Sequence, residues 1–370
     1  MIEWKENVER RGFVEADRYH KLIEEELTNL PDYVRAYYRG TNHSVTTTYQ
    51  YLTEFRRFFT WLRINQICKA TSNSMIETGT LANLRRDDVM LYIDYLKHST
   101  NARGQQNSAT SINRSINALR SLFKFLTITA DNNNGEPYFD RNVMLKIPSL
   151  NSTQTLNYRA HALASHMYRG QQKFDFLDFI EQEYPKQCDK RAQTAFKING
   201  ERDLAIIALI LGTGVRVSEA ANVNVGDLNW QQNMLDVTRK GGQKDSVPIA
   251  PWTIPYLKRY QAIRAQRYHA LKKDVAFFLT NYHGETRRIS ANNIERLVRK
   301  YSAAFGHPLT PHKLRHTLAS ELYAITKDQV LVSQQLGQKG TSATDLYTHV
   351  DQQVQKDALA QISHENPEEN

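Results

Sequence analysis

The first half of the chain repeats its apolar positions at helical spacing. Across Ser44–Ile64, Leu52, Phe55, Phe59 and Leu62 recur three or four residues apart, and Ser44 stands where an N-cap belongs. Asp87–His98 places Val89, Tyr92, Ile93 and Leu96 on one side. Ser108–Leu126 lines up Ile112, Ile116, Leu119, Phe123 and Leu126, and sets Asn113, Asn117, Arg120 and Lys124 on the opposite face. That polar and basic face suits phosphate and base-edge contacts along a duplex groove; a merely solvated face is the plainer alternative. Asn132-Asn133-Asn134-Gly135 is turn chemistry that closes the helical set.

Beyond residue 200 the pattern becomes mixed. Arg202–Leu211 predicts an apolar helix running into Gly212-Thr213-Gly214. Met234–Thr238 and Ser246–Ala250 are short β-rich runs about a glycine-containing loop, which predicts a hairpin, and Ala276–Thr280 predicts a third strand. Helical spacing returns over Trp252–Tyr268, Ala291–Phe305, Pro311–Ala324, Val330–Leu336, Thr341–Val350 and Val354–Ile362. The fold class is therefore mainly α with a small antiparallel β-sheet, in two domains, one all-helical and one mixed α/β. The expected boundaries are an extension over 1–30, a helical domain over 31–160, a linker over 161–172, the mixed domain over 173–362 and an acidic tail over 363–370.

Composition narrows the class. A length of 370 residues is room for two domains, and 40% hydrophobic with 24% charged residues excludes a mainly disordered chain. The longest apolar run, Leu204–Leu211, is far short of the ~20 residues a membrane helix needs. The first thirty residues lack the apolar stretch of a secretory signal. Cys68 and Cys188 are the only cysteines, which suits a reducing compartment and makes no metal site. A cytoplasmic protein with no membrane partner is the expectation.

The net charge of +9 is unevenly placed. Residues 51–150 carry 13 basic and 8 acidic groups, and residues 251–300 carry 11 and 3. Two separated basic zones suggest a polyanion gripped from two sides.

Four local patterns carry candidate chemistry. In Gly214-Val215-Arg216-Val217-Ser218-Glu219, Arg216 follows a glycine turn at a helix start, and Glu219 is placed to brace it one turn on. Lys240 lies in the hairpin loop, where an ammonium can deliver a proton; Lys244 is its rival. His312 and Arg315 share a helix face in His312-Lys313-Leu314-Arg315-His316, while His316 faces the apolar side as a core or supporting histidine. Tyr347 sits in Asp345-Leu346-Tyr347-Thr348-His349, where a packing role is the plain reading. Together the four fit one reaction, attack of a phenolic oxygen on a phosphodiester. Two guanidinium forks offset the phosphate charge, a lysine protonates the leaving sugar oxygen, and no metal or other cofactor is required.

At these residues the chain resembles the tyrosine recombinase (integrase) family, and within it the bacterial Xer subgroup. The likeness rests on the motifs above with Gly135-Glu136-Pro137-Tyr138-Phe139, Arg202–Leu209, Asp236–Gly242 and Thr310–Ala319, and runs over roughly residues 30 to 360. It implies a helical core-binding domain and a catalytic domain that clamp duplex DNA. It implies an active site of Arg216, Lys240, His312, Arg315, position 338 and Tyr347, with Tyr347 as nucleophile and Lys240 as general acid. Position 338 is Gln, where the family has His or Trp, so the site loses a charge and a proton donor there. It further implies a homotetramer on two DNA sites, with 351–362 docking on a neighbour. Its implied role is resolution of chromosome dimers at a dif-like site, with a septal DNA translocase of the FtsK kind as partner. A phage or transposon integrase, a type IB topoisomerase, and a DNA-binding accessory protein attenuated by Gln338 are the alternatives. The sequence shows no carboxylate cluster of the kind a two-metal nuclease needs.

Overall fold

The computed structural model describes residues 18–100, 104–132, 134–151, 154–239, 242–338, 340, 344–348 and 359. Contacts divide the chain into two compact units, Met1–Thr153 and Gln154–Asn370.

The first unit is helical. Its principal helices are α1 (Asp32–Gly40), α2 (Val45–Ile64), α3 (Arg86–His98) and α4 (Ala109–Lys124). Ser44 caps α2 by accepting from the Thr47 amide, and Ser108 caps α4 by accepting from that of Ser111. The apolar stripes meet as expected: Leu52, Phe55, Phe59, Leu62, Val89, Ile93, Ile116, Leu119 and Phe123 are all buried in one cluster. α4 does not stop at Leu126 but ends in a π turn over Phe125–Thr129.

The second unit is built around α6 (Lys190–Thr213), which follows α5 (Leu156–Ala164). Leu204–Leu211 are buried on all sides, because the short α7 (Val217–Asn222), α8 (Ile254–Tyr268), α9 (Ala291–Ala304) and α10 (Pro311–Thr326) pack around this one helix. A three-stranded antiparallel sheet, β1 (Leu228–Asn229), β2 (Met234–Thr238) and β3 (Lys244–Pro248), lies beside it, with Asp236 opposite Ser246. A separate hairpin pairs β4 (Leu279–Tyr282) with β5 (Glu285–Arg288). The unit continues through α11 (Gln329–Leu336) to α12 (Asp345–Thr348).

Several expectations need correction. The segment 161–172 is no linker: α5 occupies its start, and Leu163, Ala164, Met167 and Tyr168 are buried within the second unit. Its Ser/Thr/Asn-rich approach hid a helix whose apolar face is only one turn wide. α6 begins three turns before Arg202, with Asp189 as its N-cap. Within α6 the missing Cβ of Gly200 leaves room for the Phe196 ring. The third predicted strand begins at Leu279, where it pairs within a hairpin, while Ala276 just before it makes an isolated bridge to Asn224. Of the helix expected over 341–350, Asp345–Thr348 is helical, and 341–343 and 349–350 lie outside the described residues. Lys240, the docking segment 351–362 (Leu359 apart) and the tail 363–370 also lie outside them.

Candidate active site

α6 ends at Gly214 in the left-handed region (φ 69°), which turns the chain sharply into α7. Arg216 is the N-cap of α7, and its fixing partner is Glu219 one turn on. Glu219 Oε2 accepts from the Arg216 amide at 2.7 Å, and Oε1 accepts from Arg216 Nη1 at 2.8 Å. The carboxylate is buried while the arginine side chain is 37% exposed. Arg216 is thus anchored at its base, and it also reaches Gly337 O at 3.4 Å.

The same carboxylate takes a second arginine. Arg239 Nη1 donates to Glu219 Oε2 at 2.9 Å, and its Nε donates to Asp245 Oδ2 at 2.9 Å. Arg239 closes the hairpin strand β2 and is buried, at 6% exposure. A buried guanidinium needs paired partners, and two carboxylates supply them.

Arg315 is 2% exposed and, among the described residues, has no carboxylate of its own in hydrogen-bond contact. Its Nη1 donates to Gly214 O at 2.5 Å and its Nη2 to Leu336 O at 2.6 Å, so it ties the turn before Arg216 to the turn before Gln338. Burial, and then the Arg216 charge, bring its guanidinium down to about 10, which leaves it protonated at neutral pH. Arg216, Arg239, Glu219, Asp245 and Arg315 sum to a single positive charge, suited to an anion.

Tyr347 is 1% exposed, and its hydroxyl meets His316 Nδ1 at 2.6 Å. Burial pushes the phenol up to about 12, against the pull of Arg315. Burial, and then His312, hold the His316 imidazole down at about 3, so a neutral ring meets the phenol. His312 stacks edge-on over His316 at 4.3 Å between ring centroids. Its outer edge is exposed, yet desolvation along the packed helix and the Arg315 charge hold it below the ordinary histidine range. The structure therefore gathers Arg216, Arg315, His312 and Tyr347. Gln338 joins them through the turn that Arg315 and Arg216 hold, and its Oε1 is buried with no hydrogen-bond partner among the described residues.

Sequence reasoning missed one participant. Arg239 hid beside Lys240, since only the tertiary fold brings Glu219 and Asp245 to it. His316, expected as a core or supporting histidine, takes the supporting role, as the partner of the tyrosine hydroxyl.

In the first unit the polar face of α4 divides. Asn113 exchanges two 2.8 Å hydrogen bonds with the Leu150 backbone, and Arg120 donates to Ile147 O and Ser149 Oγ. These two hold the 147–150 segment, whereas Asn117 and Lys124 remain exposed.

A helical unit followed by a mixed one, with paired arginines and a tyrosine gathered in the second, defines a class: enzymes that break and rejoin DNA strands. Residues 181–354 match the phage integrase family. The tyrosine recombinase XerS of Streptococcus thermophilus is 47% identical over 344 residues, covering 91% of this chain and 97% of that one. XerS of Streptococcus gordonii is 45% identical over 347 residues, 92% of this chain and 98% of its own. The chain belongs to the tyrosine recombinase family. Its fold is that of the site-specific recombinase XerH in a crystal structure with palindromic difH substrate (TM-score 0.59, 20% identity, 85% of this chain and 79% of that one).

Proposed function

We propose that this chain is a site-specific recombinase that cuts and rejoins duplex DNA through a 3′-phosphotyrosyl bond at Tyr347. The observation that carries the reading is the Arg315 guanidinium. It links the Arg216 turn to the Gln338 turn, while the residue beside it holds the tyrosine hydroxyl.

In this reading the scissile phosphate sits against Arg216 and Arg315, whose charges stabilise the five-coordinate phosphorus. Tyr347 exchanges its bond to His316 for that phosphate, gives its proton to solvent, and forms a Tyr Oη–P bond. The P–O5′ bond breaks and Lys240 protonates the leaving oxygen. His312 and the Gln338 amide hold the non-bridging oxygens. Because the phosphoester is conserved, attack by a 5′-hydroxyl reverses the step without ATP. Strand alternation in β3 supports Lys240 over Lys244. Asp245 and Val247 share the inward face, and Lys244 is exposed on the other.

The grip on DNA draws on Asn117 and Lys124 with the basic zones, and Asn113 and Arg120 shape the surface beside them. XerS-like placement supports a cytoplasmic homotetramer on two dif-like sites, with 351–362 as the docking segment. It supports resolution of chromosome dimers before division and a septal FtsK-like translocase as partner. A nicked suicide duplex carrying the site tests the chemistry. Wild type traps a covalent complex on a denaturing gel and Tyr347→Phe traps none. A mobility shift with no adduct in wild type defeats the reading in favour of an accessory DNA-binding protein.

A further inference from the structure

We propose that Arg239 is a positioning residue that fixes the general-acid hairpin against the phosphate-binding turns, so that Lys240 meets the leaving oxygen. The proposal rests on the reading of Lys240 as general acid. Lys240 is joined to Arg239 by one peptide bond, so whatever immobilises Arg239 fixes one end of the loop that carries the lysine.

Three parts of the fold converge on this one guanidinium. Nη1 meets Glu219, the same carboxylate that anchors Arg216. Nε meets Asp245 on the returning strand of the hairpin. Nη2 points at Gln335 O, at 3.4 Å, one turn before Gln338. The backbone closes the loop at the same residue: the Arg239 amide donates to Gln243 O at 2.7 Å, and the Gly242 amide donates to Arg239 O at 3.0 Å. Gly337 is part of the device. It lies in the left-handed region (φ 56°), and a Cβ there would overlap the Arg239 guanidinium. Gln335 Nε2 adds a second tie, donating to Thr213 O and to Pro248 O at the far end of β3.

This arrangement exceeds what packing a buried arginine requires. One carboxylate would neutralise it, and main-chain carbonyls suffice for the buried Arg264. The two acids instead divide the work: the Glu219 arm leads to Arg216 and the Asp245 arm leads to the hairpin. Their functions are separable by a substrate whose leaving group needs no proton.

The experiment is single-turnover cleavage of the nicked suicide duplex, made either with the natural phosphodiester or with a 5′-bridging phosphorothiolate, whose sulfur leaves as a thiolate. Lys240→Ala is the reference. It loses about 100-fold or more on the natural duplex and returns to within a few-fold of wild type on the phosphorothiolate. Arg239→Lys and Asp245→Asn lose roughly 10- to 100-fold on the natural duplex and recover likewise. Glu219→Gln, which unseats Arg216 as well, stays slow on both.

Arg239→Lys and Asp245→Asn equally slow on both substrates, or Asp245→Asn at wild-type rate on both, overturns the proposal. Failure of Lys240→Ala to recover overturns the general-acid reading instead, so the two failures are distinct. Circular dichroism establishes that each variant is folded. Should Arg239→Lys not fold, the part-exposed Asp245→Asn decides alone, since it cuts only the hairpin arm.

Discussion

Glu219 is the point at which stability and chemistry meet, and Glu219→Gln tests that directly. The carboxylate is buried with 3% of its side chain exposed, and accepts from the Arg216 amide, Arg216 Nη1 and Arg239 Nη1, all between 2.7 and 2.9 Å. The substitution keeps the shape, removes the charge, and turns one acceptor into a donor facing a guanidinium. Removing one partner of a buried ion pair costs about 3–5 kcal/mol, and the isosteric amide retains one acceptor, so about 3 kcal/mol is expected. Amide hydrogen exchange of the Leu204–Leu211 segment reads this within the second unit, because that segment is the centre of its core. Exchange there should quicken about 100-fold, since ~1.4 kcal/mol is a factor of ten. Adding Arg239→Met to Glu219→Gln should cost less than the two single changes summed, with a coupling of about 1–3 kcal/mol. A loss below ~0.5 kcal/mol, or strict additivity, would falsify the shared-carboxylate account.

Four further outcomes follow from the same geometry. Stability should fall with acid. His316 is held at about 3 against an ordinary 6.5, so the unfolded chain takes up a proton that the native one refuses. The contribution is full above pH 6.5 and falls by about 2 kcal/mol at pH 5; denaturant midpoints that stay level between pH 7 and 5 in wild type, or slope equally in His316→Gln, contradict this. Gln338→His should raise the single-turnover cleavage rate several-fold with duplex affinity unchanged, since it replaces an amide whose buried Oε1 has no hydrogen-bond partner among the described residues with an imidazole donor that can carry charge; an unchanged rate removes position 338 from the site. Lys124→Ala should reduce the salt dependence of DNA binding by about one phosphate contact, whereas Arg120→Ala should leave that slope alone and loosen the 147–150 segment; equal slopes for the two variants reverse the assignment. Cleavage should persist in EDTA, because guanidinium charge is what offsets the phosphate; loss of the adduct on chelation points to a metal.

What could be read from the sequence was whatever is local. The Leu52–Leu62 and Ile112–Phe123 stripes fix their helices through spacing alone, and the bracing of Arg216 by Glu219 is an i,i+3 relation, visible in four letters. What could not be read depended on partners distant in the chain. Arg239 gains its meaning from Glu219, twenty residues back. Tyr347 meets His316 across thirty-one residues, and Arg120 meets Ile147 across twenty-seven. A polar helix face looks the same whether it greets a duplex or fastens the chain's own loop.

The quarters of Tyr347 have a kinetic meaning. The ring packs with Leu163, Ala164, Met167, Ala319, Val332 and Leu336 in a small cluster of its own, set apart from the large core around α6. Withdrawing it uncovers one aromatic side chain and gives up one hydrogen bond, about 3–4 kcal/mol in all. Unfolding a whole domain costs ~5–15 kcal/mol. On that scale roughly one molecule in a few hundred is expected to have its phenol out of the berth while the arginines stay in place. In the proposed reading, Tyr347 would thus be a detachable part on a rigid frame, released without dismantling the arginines it serves.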